Sequence, residues 1–224
     1  MVYGRVHEIY AAETDDAGAA AGFAAAMAAG MAATKGPVLW LRSRRSSSVA
    51  GVIQANGWAE LGGAPGQAIV GIVPDTMALL QATADGLRNP GLGGVIAEGW
   101  GPMRELGLTA SRRLALAAEK SGVPLFLLRV DAAPVPSAAQ TRWQVAAAPS
   151  CALPGRAPGL PTFDITLLRQ RSGPSGLSWQ VEWDRDQRKF REAAVSGAVV
   201  PLSARRPTAD TGGGLPRPNR QDAA

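Results

Sequence analysis

Apolar and polar positions come in alternating blocks along the first 130 residues. Residues 6–10, VHEIY, read as a short strand. The polar turn Glu13-Thr14-Asp15-Asp16 then opens a helix through residue 33, with Phe23, Met27 and Met31 four apart on one face. Asp15 and Asp16 suit a helix start, where a carboxylate accepts from free backbone N–H groups and meets the positive end of the helix dipole. Gly36 and Pro37 stop this helix before an apolar strand at 38–41. Ser46, Ser47 and Ser48 are placed to cap a second helix that carries Val49, Val52 and Ile53 on one face and ends near Gly57, ahead of a strand at 67–73. Asp75 caps a third helix whose Met77, Leu80, Ala84 and Leu87 mark an inner face; Asn89-Pro90-Gly91 ends it before a strand at 94–98. A fourth helix begins at Thr109 or Ser111, turns Leu114, Ala117 and Ala118 inward, meets Gly122 at its C-cap and precedes a continuous apolar strand at 124–128.

Strands that alternate with helices in this way predict an α/β fold: a mostly parallel sheet with flanking helices and right-handed crossovers, whose functional edge lies where the strands end. Beyond residue 130 the pattern changes. One strand is expected at 142–145, then a loop with Pro149, Pro154, Pro158 and Pro161. Strands at 163–169 and 177–184 follow, joined by the turn 172–176 as an antiparallel hairpin that extends the sheet. Phe163, Ile165 and Leu167 against Trp179, Val181 and Trp183 give the hairpin one apolar face. Residues 203–224 hold Pro, Gly, Arg and Asp with almost nothing to bury and read as a disordered tail. The expected organisation is one domain over 1–202, with βα units in 1–130 and the C-terminal strands in 131–202, followed by that tail.

Composition narrows the chemistry. The chain has 224 residues, of which 46% are hydrophobic, enough for one domain with a substantial core. Cys151 is the single cysteine, so no intrachain disulfide forms and no zinc site is expected. The single histidine, His7, excludes mechanisms that need two and reads as a hydrogen-bonded structural residue on a buried strand. No segment has the length and apolarity to span a bilayer, which predicts a cytoplasmic protein. A formal charge of +5, carried by arginine except at Lys35, Lys120 and Lys189, allows an acidic partner without requiring one.

The first strand, loop and helix have the place and length of a phosphate-binding loop but lack its chemistry. Such a loop needs glycines whose backbone N–H groups surround the phosphates, a Lys for the terminal phosphates and a Ser/Thr for magnesium. Ala11, Ala12, Asp16, Ala17 and Gly18 stand in those places, and Asp15 and Asp16 would repel a triphosphate. No catalytic residue, cofactor or metal is expected. Arg42, Arg44 and Arg45, on a turn beside the loop, read as solvated or as ion-pair partners of Asp15 or Asp16. Trp143, Trp179 and Trp183 read as packing residues.

VHEIYAAET resembles the first strand and loop of RecA-type recombinases, and AIVGIVPDT with ALLQATADGLRNPGLGGVIAEG resembles their third strand, helix and Walker B strand. HEIYAAETDDAGAAAGFAAAM, LTASRRLALAAEKSGVPLFLLR, PSAAQTRWQVAAAPS and the hairpin ending SWQVEWD are similar to the ImuA family, RecA-like accessory proteins of bacterial damage-induced mutagenesis; the likeness covers about residues 3 to 190. By this resemblance the Walker lysine falls on Ala17 and its Ser/Thr neighbour on Gly18. The acid after the second strand falls within Arg42-Ser43-Arg44-Arg45, the Walker B acid matches Glu98, and a nucleotide-sensing Gln falls near Arg129. Without a second acid or a Lys beside it, Glu98 reads as a relic of the fold or a loop hydrogen-bonder. The resemblance also implies shortened DNA loops and no filament-forming segment before the first strand.

The function this implies is a non-catalytic adaptor in an SOS-type DNA damage response, supporting error-prone translesion synthesis. Its implied partners are an ImuB-like inactive Y-family polymerase, an error-prone replicative-type polymerase and RecA itself. Two other readings stay open on the residues. One is a single-stranded DNA-binding module that uses Arg42, Arg44 and Arg45 with Arg205, Arg206, Arg217 and Arg220 of the tail. The other is a weak nucleotide-binding protein with a degenerate loop.

Overall fold

A computed structural model describes residues 4–32, 36–64 and 66–193. Nine strands form one sheet: β1 (Val6–Ala11), β2 (Val38–Ser43), β3 (Ala68–Val73), β4 (Gly94–Trp100), β5 (Leu125–Val130), β6 (Thr141–Ala147), β7 (Thr162–Gln170), β8 (Leu177–Asp184) and β9 (Lys189–Glu192). Their spatial order is β3-β2-β4-β5-β1-β6-β7-β8-β9. The pairs among β1 to β6 are parallel, and β7, β8 and β9 continue the sheet antiparallel. The helices are α1 (Ala17–Ala32), α2 (Arg44–Ala50), α3 (Ala55–Glu60), α4 (Thr76–Leu87) and α5 (Leu108–Ser121).

Alternation along each strand sends side chains to two cores. Ile9, Trp40, Ile96, Phe126 and Leu128 pack with α1 and Trp58 of α3 on one face, while Leu41, Val95, Leu125 and Leu127 pack with α4 and α5 on the other. α1 is built almost wholly of Ala, Gly, Phe and Met, and every residue from Phe23 to Ala29 is buried. A helix apolar all round fits only where it is covered all round. The C-terminal strands supply the cover: Phe163 lies against the Gly22 side of α1, and Phe23 packs on Phe163 and Phe190 with ring centroids 5.8 and 4.9 Å apart.

Three expectations about elements need correction. The helix expected from Ser46 to near Gly57 is two short helices. Its cap is Ser43, whose Oγ accepts from Ser46 N–H at 3.1 Å, and Gly51, at φ 73°, ends α2 before α3 begins. Val49 and Val52, expected on an inner face, are exposed. On α4 the buried residues are Leu79, Leu80, Thr83 and Leu87, so the inner face runs through these and Met77, expected on it, is exposed. A further strand, β9, carries a single apolar anchor, Phe190, against Trp183 at 4.8 Å. The tail expected at 203–224 lies outside the described residues.

Candidate functional site

β2 and β4 end side by side, β1 ends two strands from β4 beyond β5, and the loops that follow form the edge where a phosphate loop would act. After Ala11 the chain makes a short 3-10 turn, Thr14–Asp16, before α1. Glu13 and Asp16 cap one another across it. Asp16 Oδ2 accepts from Glu13 N–H at 3.2 Å, the Asp16 N–H bonds Glu13 O at 3.1 Å, and Asp16 Oδ1 accepts from Ala147 N–H at 2.8 Å, tying the loop to the end of β6. The Glu13 and Asp16 amides are therefore turned into the protein's own bonds, and a carboxylate stands at this point of the loop.

The ion pair expected between Asp15 or Asp16 and the arginine turn does not form; Arg42 pairs with Glu98 instead. The two residues are direct neighbours across β2 and β4. Arg42 Nε donates to Glu98 Oε2 at 2.8 Å and Nη2 to Oε1 at 2.7 Å, with both side chains under 5% exposed. Trp40 Nε1 adds a third donor to the carboxylate at 3.1 Å. The rest of the guanidinium is held by Gly51 O at 2.5 Å and Ser46 O at 3.3 Å, so the break between α2 and α3 is fastened to the buried arginine. Such a two-pronged, fully engaged pair is the arrangement that makes a buried charge tolerable.

A cavity of about 510 Å³ opens above this pair, between α1 and the α2–α3 segment. Asp15, Ala17, Gly18 and Ala21 line one side, Val49, Val52 and Ile53 the other, and Trp40 lies on the floor. Both Glu98 oxygens and all three Arg42 guanidinium nitrogens are already bonded. The donor set does not fit a magnesium nucleotide: there is no Lys, Asp15 presents negative charge, and the one buried carboxylate faces a guanidinium rather than an open coordination position.

On the opposite face of the sheet, at the same edge, a second buried polar group holds Glu8, Tyr10, Arg129 and Arg142. Arg142 Nε donates to Glu8 Oε2 at 2.8 Å, and Arg142 Nη2 donates to Ser137 Oγ at 3.1 Å and to Val135 O, beneath the strap that joins β5 to β6. Arg129, near which the resemblance places a sensing Gln, is 2% exposed and lies 5.6 Å from the Tyr10 ring centroid, and among the described residues its Nε and Nη1 have no hydrogen-bond partner. Burial pushes its pKa down, opposed by the nearby Tyr10 and Glu8. Tyr10 is pushed up, first by burial and then by Glu8, against Arg129 and Arg142.

The remaining expected site residues do not assemble. Arg44 and Arg45 are exposed on α2, whereas Arg42 is buried and is not available to DNA or a partner. Arg205, Arg206, Arg217 and Arg220 lie outside the described residues. His7 bonds Thr141 Oγ1 through Nδ1 at 2.7 Å and stacks on Phe126, a structural role. Trp143 packs on Trp179 at 6.2 Å, and Trp183 Nε1 donates to Leu61 O at 3.0 Å. Among the described residues no helix is long and apolar enough to cross a membrane, and no three His, Cys, Asp or Glu side chains cluster as for a metal.

Sequence reading missed a surface feature. β3 is one of the two edge strands of the sheet and, among the described residues, pairs on one side only, to β2. Its Ile69 is 49%, Val70 46% and Ile72 60% exposed, with Ile69 on one face of the sheet and Val70 and Ile72 on the other. An open strand edge flanked by apolar side chains is a template for another strand.

The strand order, the parallel core and the crossover helices define a RecA-like α/β fold. The crystal structure of the RadB recombinase is similar, with a TM-score of 0.50 at 12% sequence identity over 86% of this chain and 92% of that one; this likeness bears on the fold. No protein-family model matches the chain. No curated protein matches it either.

Proposed function

We propose that this chain is a RecA-like adaptor without ATP hydrolysis that supports error-prone translesion DNA synthesis through protein–protein contacts. The observation that carries the reading is the Arg42–Glu98 pair. The carboxylate matched to the Walker B acid is closed off by a bidentate arginine from the next strand, and the loop that would cradle phosphates uses its amides internally. A protein that keeps the scaffold and disarms the site has its remaining chemistry on its surfaces. The open edge of β3 supports the adaptor role, since an added strand would gain main-chain hydrogen bonds there and bury Val70 and Ile72. The partners are those the ImuA resemblance implies: an inactive Y-family polymerase homologue, an error-prone replicative-type polymerase and RecA.

The test is affinity capture with the full tagged chain from cells exposed to DNA damage, beside the same chain carrying Val70→Lys and Ile72→Lys. The expected result is recovery of the two polymerases by the parent chain and their loss with the variant. Recovery of neither polymerase by a folded parent chain contradicts the reading.

A further inference from the structure

α5 carries a row of exposed side chains, Arg112, Leu116 and Lys120, at four-residue steps along its outer face. A cavity of about 460 Å³ opens beside this row, and Arg5, Arg112, Arg169 and Arg171 all line it. Arg5 comes from the residue before β1, Arg169 and Arg171 from the end of β7, so three separate parts of the chain deliver cations to one place. The one carboxylate in the lining, Glu119, is held by Arg5 at 2.9 Å. Arg112 and Arg171 have no ion-pair partner among the described residues, and neither does Lys120, which lines an adjoining depression together with Leu116.

Leu116 is 66% exposed in the middle of this basic field, and Leu108, at the start of α5, is 45% exposed. Two large apolar groups among four or more cations call for an occupant that is acidic and apolar together. Neither depression has an aromatic side chain in its lining, so this face offers nothing on which an unpaired base could stack. The surface also lies away from the exposed edge of β3, from which it is separated in the sheet by β2, β4 and β5.

We infer that the α5 face, with Arg5, Arg112, Arg169 and Arg171 around Leu116, is a docking site for an acidic amphipathic segment of a partner protein, whose carboxylates meet the arginines and whose apolar side chain sits on Leu116. The inference stands on charge and exposure at this face and does not depend on the adaptor reading.

The probe is a fluorescein-labelled peptide of about a dozen residues made of Glu, Asp and Leu, titrated with the full chain and followed by fluorescence anisotropy at ~50 and ~200 mM salt. An oligothymidylate of matched negative charge is titrated in parallel. The expected result is saturable peptide binding that weakens with salt, falls about tenfold in the double variant Arg112→Glu, Arg171→Glu, and falls at least about threefold in Leu116→Ser. All three substitutions are on exposed side chains, and thermal melts of each variant establish that the fold is kept. Peptide affinity that is the same in the parent and both variants overturns the proposal. Oligothymidylate that binds as tightly as the peptide, loses affinity in the arginine variant and ignores Leu116→Ser also overturns it, assigning the face to nucleic acid.

Discussion

Arg42 and Arg129 are both buried at the same edge of the sheet, on opposite faces, and their surroundings differ in one respect. Arg42 meets a carboxylate with two prongs and two carbonyls with the rest. Arg129 lies beside Tyr10, in a group where the single carboxylate, Glu8, is already taken by Arg142, and two of its nitrogens go without a partner. The cost of a buried charge is set by what it meets, so the first cluster locks its strands together while the second is a place where the fold tolerates unrelieved desolvation. The locked cluster lies at the carboxyl ends of β2 and β4, the edge at which open parallel sheets bind their ligands. That placement suits a site kept for its structure.

Breaking the locked pair is the most damaging change. Arg42→Ala strands Glu98 in the core without its counter-charge and frees the Gly51 carbonyl, and denaturant unfolding should register a loss of about 3–5 kcal/mol. Replacing both partners, as Arg42→Met with Glu98→Leu, should recover most of that loss, because apolar residues of similar volume need no counter-charge. A double variant as unstable as Arg42→Ala would show that the carbonyl bonds to Gly51 and Ser46, rather than the ion pair, hold the α2–α3 break in place.

The unrelieved cluster should behave the other way. Arg129→Met removes an under-bonded cation and keeps much of its apolar stem, and should stabilise the chain by about 1 kcal/mol, read as a higher unfolding midpoint. A loss of more than about 2 kcal/mol would reveal that Arg129 is better satisfied than its nitrogens indicate. Alkaline pH gives a second view of the same group. Tyr10 is raised from its usual value of 10.0, so as pH climbs past that value the unfolded chain sheds a proton that the folded chain keeps, and stability falls. Arg129, whose pKa burial pushes down, acts with the opposite sign, because there the folded chain releases its proton before the unfolded chain does. Tyr10→Phe should therefore flatten the decline in melting temperature that begins near pH 10.0; an identical decline in parent and variant would place its cause elsewhere.

The smallest effect on stability is expected at the strand edge. Val70→Lys and Ile72→Lys alter side chains already about half exposed, and should shift stability by less than about 0.5 kcal/mol each while abolishing capture of a strand-adding partner. A large drop in melting temperature would mean that these residues belong to the core.

The alternation of strands and helices was legible because it is written in local signals: Asp75 as a cap, Gly122 as a left-handed stop, and the uninterrupted apolar run before residue 130. That Ala17 and Gly18 bring neither an ammonium nor a hydroxyl group to the loop is plain from the sequence whatever their placement. What sequence concealed depends on neighbours far along the chain. Arg42 looked like part of a solvated turn, yet β2 continues to Ser43 and sets it directly opposite Glu98. A polar residue at the end of each of two buried apolar runs was the available hint. AIVGIV reads as a strand, and only the order of the sheet reveals that among the described residues it pairs on one side alone. Gly51, at φ 73°, breaks a helix that Val49, Val52 and Ile53 would otherwise continue, and its carbonyl accepts from the buried Arg42.

The central claim is that the edge matched to a nucleotide site no longer serves one. Titration calorimetry of the full chain with magnesium ATP tests it directly, beside Glu98→Gln and Asp15→Asn variants. The account predicts no saturable heat for the parent chain at concentrations where an affinity of about 100 μM, or roughly 5.5 kcal/mol, would be evident. Saturable binding tighter than that, lost in Glu98→Gln, would contradict it and restore the cavity above Arg42 and Glu98 as a working nucleotide site.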